Sequence, residues 1–324
     1  MSKKILYSCD TGVDDALALA YLAAQEECEV VGVTCSYGMS YVGDVFRNTK
    51  EVLRLCGKPE IPIVMGSEVP LSGEHIDFSG GSMFHGMSGI GGVLPPSTPE
   101  DWGDAKPEDA TDFIIEMIET YGKELYWVTS GPMTDIARVL RKDPSVAEKV
   151  GAVYIMGGAL ATPGNVGNVM EAVMEANVRL DVKACYEVLT SKLPVVLVGL
   201  DVTRKTLFTY EDHERWHTIG TESALFLYES LKYYLGAYKQ FHSYLNGCGL
   251  HDPLAAVAAI HPEILTTIPM HLTCFTEGPL RGRTTEDVWR CNDPEYSMKA
   301  AMFVDVKAFQ NEFFGKVEAM LRNH

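Results

Sequence analysis

The stretch Lys4-Ile5-Leu6-Tyr7-Ser8-Cys9-Asp10-Thr11-Gly12-Val13-Asp14-Asp15, continued by the apolar run Ala16–Ala24, decides how this chain is read. A short, nearly continuous apolar run predicts a strand covered on both faces, and the Ala/Leu run after it predicts a buried helix. Between them, three carboxylates fall within six residues at the strand's carboxyl end. Acids so placed repel one another unless something positive joins them, and a hard cation such as Ca²⁺ or Mg²⁺, which takes oxygen ligands, is the economical candidate. Gly12 reads as the residue that permits the tight turn, and the start of the helix favours negative charge. The plainer reading is that Asp10 or Thr11 caps the helix while Asp14 and Asp15 complement its dipole, worth roughly 0.3–2 kcal/mol together. The run alone does not choose between the two.

Working outward, similar apolar runs recur at Lys4–Cys9, Val30–Ser36, Ile61–Met65, Leu125–Thr129, Ala152–Met156 and Pro194–Leu200. Most precede a segment of helical spacing, with helices expected over Asp14–Glu26, Tyr41–Cys56, Pro107–Tyr121, Asp135–Leu140 and Asp181–Thr190. This alternation predicts an α/β fold, a doubly wound and mostly parallel sheet flanked by helices, whose ligands bind beyond the carboxyl ends of the strands. The second half is less regular, with an aromatic helix over Ala224–Tyr244 and another opening at Asp252. His271–Thr276 and Thr284–Arg290 flank Gly278, Pro279 and Gly282 and predict a C-terminal β-hairpin, and an amphipathic helix over Val306–Arg322 follows. Ser72–Ser97, rich in Gly, Ser and Met, has no periodicity and reads as a mobile active-site loop.

Composition narrows the partners. A formal charge of −17 disfavours phosphate backbones and anionic lipid surfaces, so neither nucleic acid nor membrane is expected. No stretch reaches the roughly 18 uninterrupted apolar residues of a spanning helix, and no secretory segment opens the chain, so the expected location is the cytoplasm. The eight cysteines are scattered without a CxxC pair, which signals neither a zinc site nor a disulfide framework. With no repeat or linker in its 324 residues, the chain is expected to form a single large domain over 1–324.

Three further segments fit an acidic sugar site. In His251-Asp252-Pro253-Leu254 an acid precedes a proline at a helix start, which is also an ordinary cap. Thr129-Ser130-Gly131-Pro132 ends a buried strand, so a backbone carbonyl there can face the same rim. Glu175-Ala176-Asn177 follows the Gly/Asn-rich loop Gly164–Asn168 and supplies groups that hydrogen-bond sugar hydroxyls.

Taken together, the chain resembles the inosine-uridine preferring nucleoside hydrolase family, calcium-dependent N-ribohydrolases. The resemblance rests on the aspartate run after the first strand, Gly131-Pro132-Met133-Thr134-Asp135-Ile136-Ala137, Met156-Gly157-Gly158, Glu175-x-Asn177 with Asp181, Leu200-Asp201-Val202-Thr203 and the His251 segment, in the family's order. It implies hydrolysis of free nucleosides to base and ribose for salvage. It also implies Ca²⁺ held by Asp10, Asp15 and Asp252 with a backbone carbonyl near Ser130, and Asp10 as the base that activates a water on the ion. Asp14, Glu175 and Asn177 would bind the ribose hydroxyls together with Asn168, or with Asn165 from the same loop. His251 would stand near the departing base as proton donor, with Tyr238, His242 and His85 as further substrate contacts. A homodimer or homotetramer is the implied assembly.

Three positions depart from the family pattern: Ser8 replaces an acid, Met39 an asparagine, and Ala176 a phenylalanine whose loss enlarges the sugar pocket. They keep open a rival class, a calcium-dependent ribose- or nucleoside-binding protein with weak or no catalysis. A phosphohydrolase with Asp10 as nucleophile is disfavoured, because its second acid is missing at Gly12. Trp216 and Trp289 are aromatic enough to stack on a base but lie in no motif.

Overall fold

The computed structural model describes residues 3–107, 110–166 and 173–324. Its strands are β1 Lys3–Cys9, β2 Cys28–Cys35, β3 Ile63–Met65, β4 Leu125–Thr129, β5 Ala152–Met156, β6 Val195–Val198, β7 Leu207–Thr209, β8 Gly247–Gly249, β9 Leu265–Pro269, β10 Leu272–Cys274, β11 Thr284–Glu286 and β12 Lys299–Val304. Eight of them form one sheet in the order β3-β2-β1-β4-β5-β6-β12-β9. Neighbours are parallel except β12 with β9. Two antiparallel ribbons, β7 with β8 and β10 with β11, stand outside it.

The sheet separates two apolar cores, and the chemistry of β1 shows why. Ile5, Tyr7 and Cys9 pack into one core while Leu6 enters the other, as period-two alternation in a doubly covered strand requires. The Val13–Ala23 helix is buried at every residue and packs against the equally buried His251–Ile260 helix, so Leu17, Leu19 and Leu22 lie deep in the first core. Truncating any one of these leucines to alanine costs about 2–5 kcal/mol. From β1 the chain winds outward through β2 and β3, then restarts at β4 on the other side of β1. That reversal opens a crevice at the carboxyl ends of β1 and β4, where Asp10 and Ser130 lie.

The expected strands and helices are all present, with ends moved by a few residues: the helix read from Pro107 is described over Ala110–Tyr121, and the hairpin shortens to β10 and β11. Three readings are corrected. The sheet gains β9, which carries no apolar run, and β12, whose apolar run Ala300–Val304 the sequence reading did not assign. The stretch 72–97 contains a short helix, Ser79–His85, whose last residue is buried. At Gly12 the backbone is extended (φ −82°), open to any residue, and the glycine is required instead by His85, whose Nδ1 would lie 2.5 Å from a Cβ there.

Candidate active site

Two helices start at the crevice, each with acids in its first turn: Asp14 and Asp15 on Val13–Ala23, Asp252 on His251–Ile260. Their packing brings carboxylate oxygens of Asp14, Asp15 and Asp252 within 4.8 Å of one another. That spacing fits oxygens on opposite sides of one Ca²⁺ at about 2.4 Å each. Asp10, at the tip of β1, stands against Asp15, and its Oδ2 accepts the Met39 N–H at 2.9 Å. Gly38 makes this approach possible, because a Cβ there would lie 1.8 Å from that same oxygen.

All four acids are buried. Burial raises the pKa of each, and for Asp10, Asp14 and Asp252 repulsion from the neighbouring carboxylates adds to it; Asp14 is pushed up to about 8. Among the described residues no lysine or arginine forms an ion pair with them. The nearest basic group is His85, 3.9 Å from Asp14 and held neutral by burial with a pKa pulled down to about 3. Backbone and hydroxyl donors serve Asp15 chiefly: Gly12 N–H and the Ser130 and Tyr7 hydroxyls donate to it at 2.8, 2.6 and 3.3 Å. The ligands on offer, all oxygen, are of the type that would hold a hard divalent cation, whose charge would offset this repulsion.

The Ser130 carbonyl accepts the Asn177 side-chain amide at 2.7 Å. That amide also reaches the Met156 carbonyl at 3.2 Å, so it ties the ends of β4 and β5 together. Glu175 caps the Ala176–Leu180 helix, accepting N–H groups of Asn177, Val178 and Gly158 at 3.0–3.1 Å. Those bonds lower a carboxyl pKa that burial raises.

Above the acids lies a cavity of about 160 Å³, lined by Asp10, Asp14, Asp15, Ser130, Glu175, Asn177 and Asp252 and also by His85, Tyr238, His242 and His251. Asn165 lines it too, and its Oδ1 accepts the Ala176 N–H at 2.9 Å; Asn168 lies outside the described residues. His251 sits between two hydroxyls, with Nε2 2.7 Å from Tyr238 and Nδ1 2.8 Å from Thr203. Burial, with Arg204 contributing, pulls its pKa down to about 3, so the ring is neutral. Phe84, Tyr234 and Met83 complete an apolar wall there, with Phe84 edge-on to Tyr238 at 5.7 Å.

The two tryptophans stack on no base. Trp216 is fully buried against Phe208, and Trp289 is 93% exposed; neither lines the cavity. Sequence reasoning missed Thr203, noted only within its motif, and Arg179, which lines the cavity from the Ala176–Leu180 helix.

A sequence profile of the inosine-uridine preferring nucleoside hydrolases matches residues 5–311. The chain belongs to that family. This nucleoside hydrolase is 32% identical over 310 residues to the pyrimidine-specific ribonucleoside hydrolase RihA of Klebsiella pneumoniae, spanning 95% of this chain and 96% of the relative. Its structure is similar to that of a purine-preferring ribonucleoside hydrolase from Gardnerella vaginalis, with a TM-score of 0.93, 38% identity and coverage of 99% and 100% of the two chains. It is also similar to a plant nucleoside hydrolase, with a TM-score of 0.87, 27% identity and coverage of 98% and 100%. The protein is an enzyme that cleaves the N-glycosidic bond of nucleosides.

Within this nucleoside hydrolase the departing positions have plain surroundings. Ser8 Oγ is held between the Trp127 indole at 2.7 Å and Thr34 Oγ1 at 2.6 Å, in the strand layer and off the cavity. Met39 and Ala176 line the cavity, Met39 giving Asp10 its backbone N–H. Several acids of the family motifs do structural work instead: Asp181 accepts from Leu71 and Ala184 N–H and the Thr134 hydroxyl, and Asp201 from Leu160 and Ala161 N–H.

Proposed function

We propose that the enzyme is a calcium-dependent N-ribohydrolase of free nucleosides in which Asp10 is the general base. The observation that carries this reading is the set of four buried carboxylates facing one another without a lysine or arginine partner among the described residues. Asp10, Asp15, Asp252 and the Ser130 carbonyl hold the ion in this reading. Asp14, which stands as close to Asp15 and Asp252 as a ligand does, meets the ribose hydroxyls beside it. When bound, Ca²⁺ cancels the repulsion among the acids and lowers the pKa of a coordinated water.

The residues divide the remaining work. Asp10, positioned by Met39 N–H, takes a proton from the water that attacks C1′. Glu175 and the Asn177 Oδ1 accept from sugar hydroxyls, since the Asn177 amide hydrogens already serve Ser130 and Met156. Carboxylates beneath the ring stabilise the positive charge that grows on the sugar as the C1′–N bond lengthens. Negative charge on the base is met from the opposite wall. In the Nε2–H tautomer of His251 on which this reading rests, Thr203 donates to Nδ1 and Nε2–H to the Tyr238 hydroxyl, whose own proton then goes to the leaving base. A neutral imidazole suits this relay, because it carries one donor and one acceptor at once.

The test is a nucleoside panel assayed for free ribose, with calcium titrated after exhaustive chelation, in wild type and Asp10→Ala. Calcium-dependent base release, lost in the variant, is expected. Release that survives Asp10→Ala removes Asp10 as the base.

A further inference from the structure

We propose that the third wall of the cavity is a site for an anionic group on C5′ of the sugar, and that the enzyme also hydrolyses nucleoside 5′-monophosphates to base and ribose 5-phosphate. The inference rests on the reading of the acidic floor as the ribose site.

The cavity has three faces. The acids and Ser130 form the floor, and Phe84, Tyr234, Tyr238, His242 and His251 form the base wall. A third stretch of the lining includes Asp77, Gly80, Gly81, Ala176 and Arg179. A ribose with its 2′ and 3′ hydroxyls on the floor and C1′ toward the base wall presents C5′ to this third face.

Arg179 is the cation of the cavity lining among the described residues. Its Nε is buried with no hydrogen-bond partner, and the guanidinium makes no ion pair there. A buried, unsatisfied arginine donor awaits an acceptor, and the planar fork matches phosphate oxygens in pairs. Space for that acceptor comes from small residues. Nη2 lies against Gly80, where a Cβ would sit 3.4 Å away, and Ala176 stands where a phenylalanine would fill the pocket. Gly81 is pressed on Met39, whose carbonyl would be 2.5 Å from a Cβ, so this side stays open only with glycine. Asp77, the acid on the same wall, is engaged by Ser79, accepting its N–H and hydroxyl at 2.9 Å each.

The chemistry needs no new reactant. Water adds its oxygen to C1′ and gives one proton to Asp10, and the electron pair of the C1′–N bond leaves with the base, which takes a proton from Tyr238. The phosphate ester stays intact. Arg179 acts only as a counter-charge that admits a dianion into an otherwise acidic cavity.

The experiment compares inosine with inosine 5′-monophosphate in wild type, Arg179→Ala, Arg179→Lys and Asp77→Asn, all in calcium and all checked for an unchanged melting curve. Wild type is expected to turn over both, with kcat/KM values within about tenfold of each other. Arg179→Ala should lower the nucleotide-to-nucleoside ratio by about 20-fold or more, chiefly through KM; one lost charge-assisted hydrogen bond has that size. Arg179→Lys should recover part of the loss, and Asp77→Asn should raise the ratio. Inosine turnover without any release of ribose 5-phosphate from the nucleotide, or a ratio unmoved by Arg179→Ala, overturns the proposal. Calorimetric titration with ribose 5-phosphate and with ribose keeps the two readings apart. Should inosine itself not react, tighter binding of the phosphate that disappears in Arg179→Ala still supports the site, and equal or absent binding of the two sugars defeats it.

Discussion

Asp252 and Asp181 are both buried aspartates in motifs of one family, and their surroundings are opposite. Asp181 accepts two N–H groups and a hydroxyl, and the acid of Asp201 likewise takes two N–H groups, so each carries its charge on a cradle of donors. Asp252 chiefly faces other carboxylates, those of Asp14, Asp15 and Asp10. A buried carboxylate with a full set of donors is a staple between loops, whereas one that looks at other carboxylates needs a cation from outside. Position in a motif does not separate these roles; the partners do.

Removing the cation is the largest test of that contrast. Dialysis against a chelator should abolish nucleoside turnover, and calcium at about 100 times its Kd should raise unfolding stability by about 2.7 kcal/mol, read by denaturant titration. Full turnover without divalent ions would break the comparison outright. Next, Asp15→Ala and Asp252→Ala should each lower kcat/KM by about 10³-fold or more and abolish the calcium-induced gain, and Asp252→Ala should cost little stability in the calcium-free protein because repulsion goes with the charge. Asp181→Ala should do the reverse. Stranding three buried donors costs about 2–5 kcal/mol, while the calcium-induced gain persists. Matching behaviour of the two groups would erase the distinction.

The base wall sharpens it further. Tyr238→Phe and His251→Ala should reduce turnover of inosine or uridine by about 10²–10⁴-fold and that of p-nitrophenyl riboside far less, since its leaving group needs no proton. Equal losses on both substrates would take the pair out of proton transfer. The smallest effect concerns pH. His85 and His251 stay neutral in the folded protein, with pKa values near 3, while in the unfolded chain they take up protons below about 6.5. The stability they contribute is therefore complete above that pH and is lost as pH falls from 6.5 toward 3, at a limiting rate of about 1.4 kcal/mol per pH unit for each ring. Wild type should lose stability more steeply between pH 6.5 and 4.5 than His85→Asn, measured by urea melts; parallel slopes would mean the ring is protonated when folded.

Much of this was legible in the chain. The strand Leu125–Thr129 and the strand Ala152–Met156 read correctly to the residue, because an apolar run ends where polar turn residues begin. The aspartate run and Asp252 were visible, but their convergence depends on two buried helices packing together, which no local pattern states. β9 escaped because it is half exposed, has no apolar run and ends in proline; β12 does carry the apolar run Ala300–Val304, but no regular alternation with a following strand marks it. Arg179 escaped because one charge on a five-residue helix looks solvated, and only the fold lays Gly80 against it. His251 was noticed as a lone donor, whereas its partnership with Thr203, far away in sequence, required coordinates.

The floor of the cavity is built from strand tips and the first turns of two interior helices, but the base wall comes from the Ser79–His85 helix and the last turns of Glu222–Phe241, packed at the edge. The metal and sugar contacts and the base wall are thus carried largely by different elements, joined at His251, which shares its helix with Asp252. A substitution on the two outer helices can therefore reshape the base wall without touching the carboxylates of the floor.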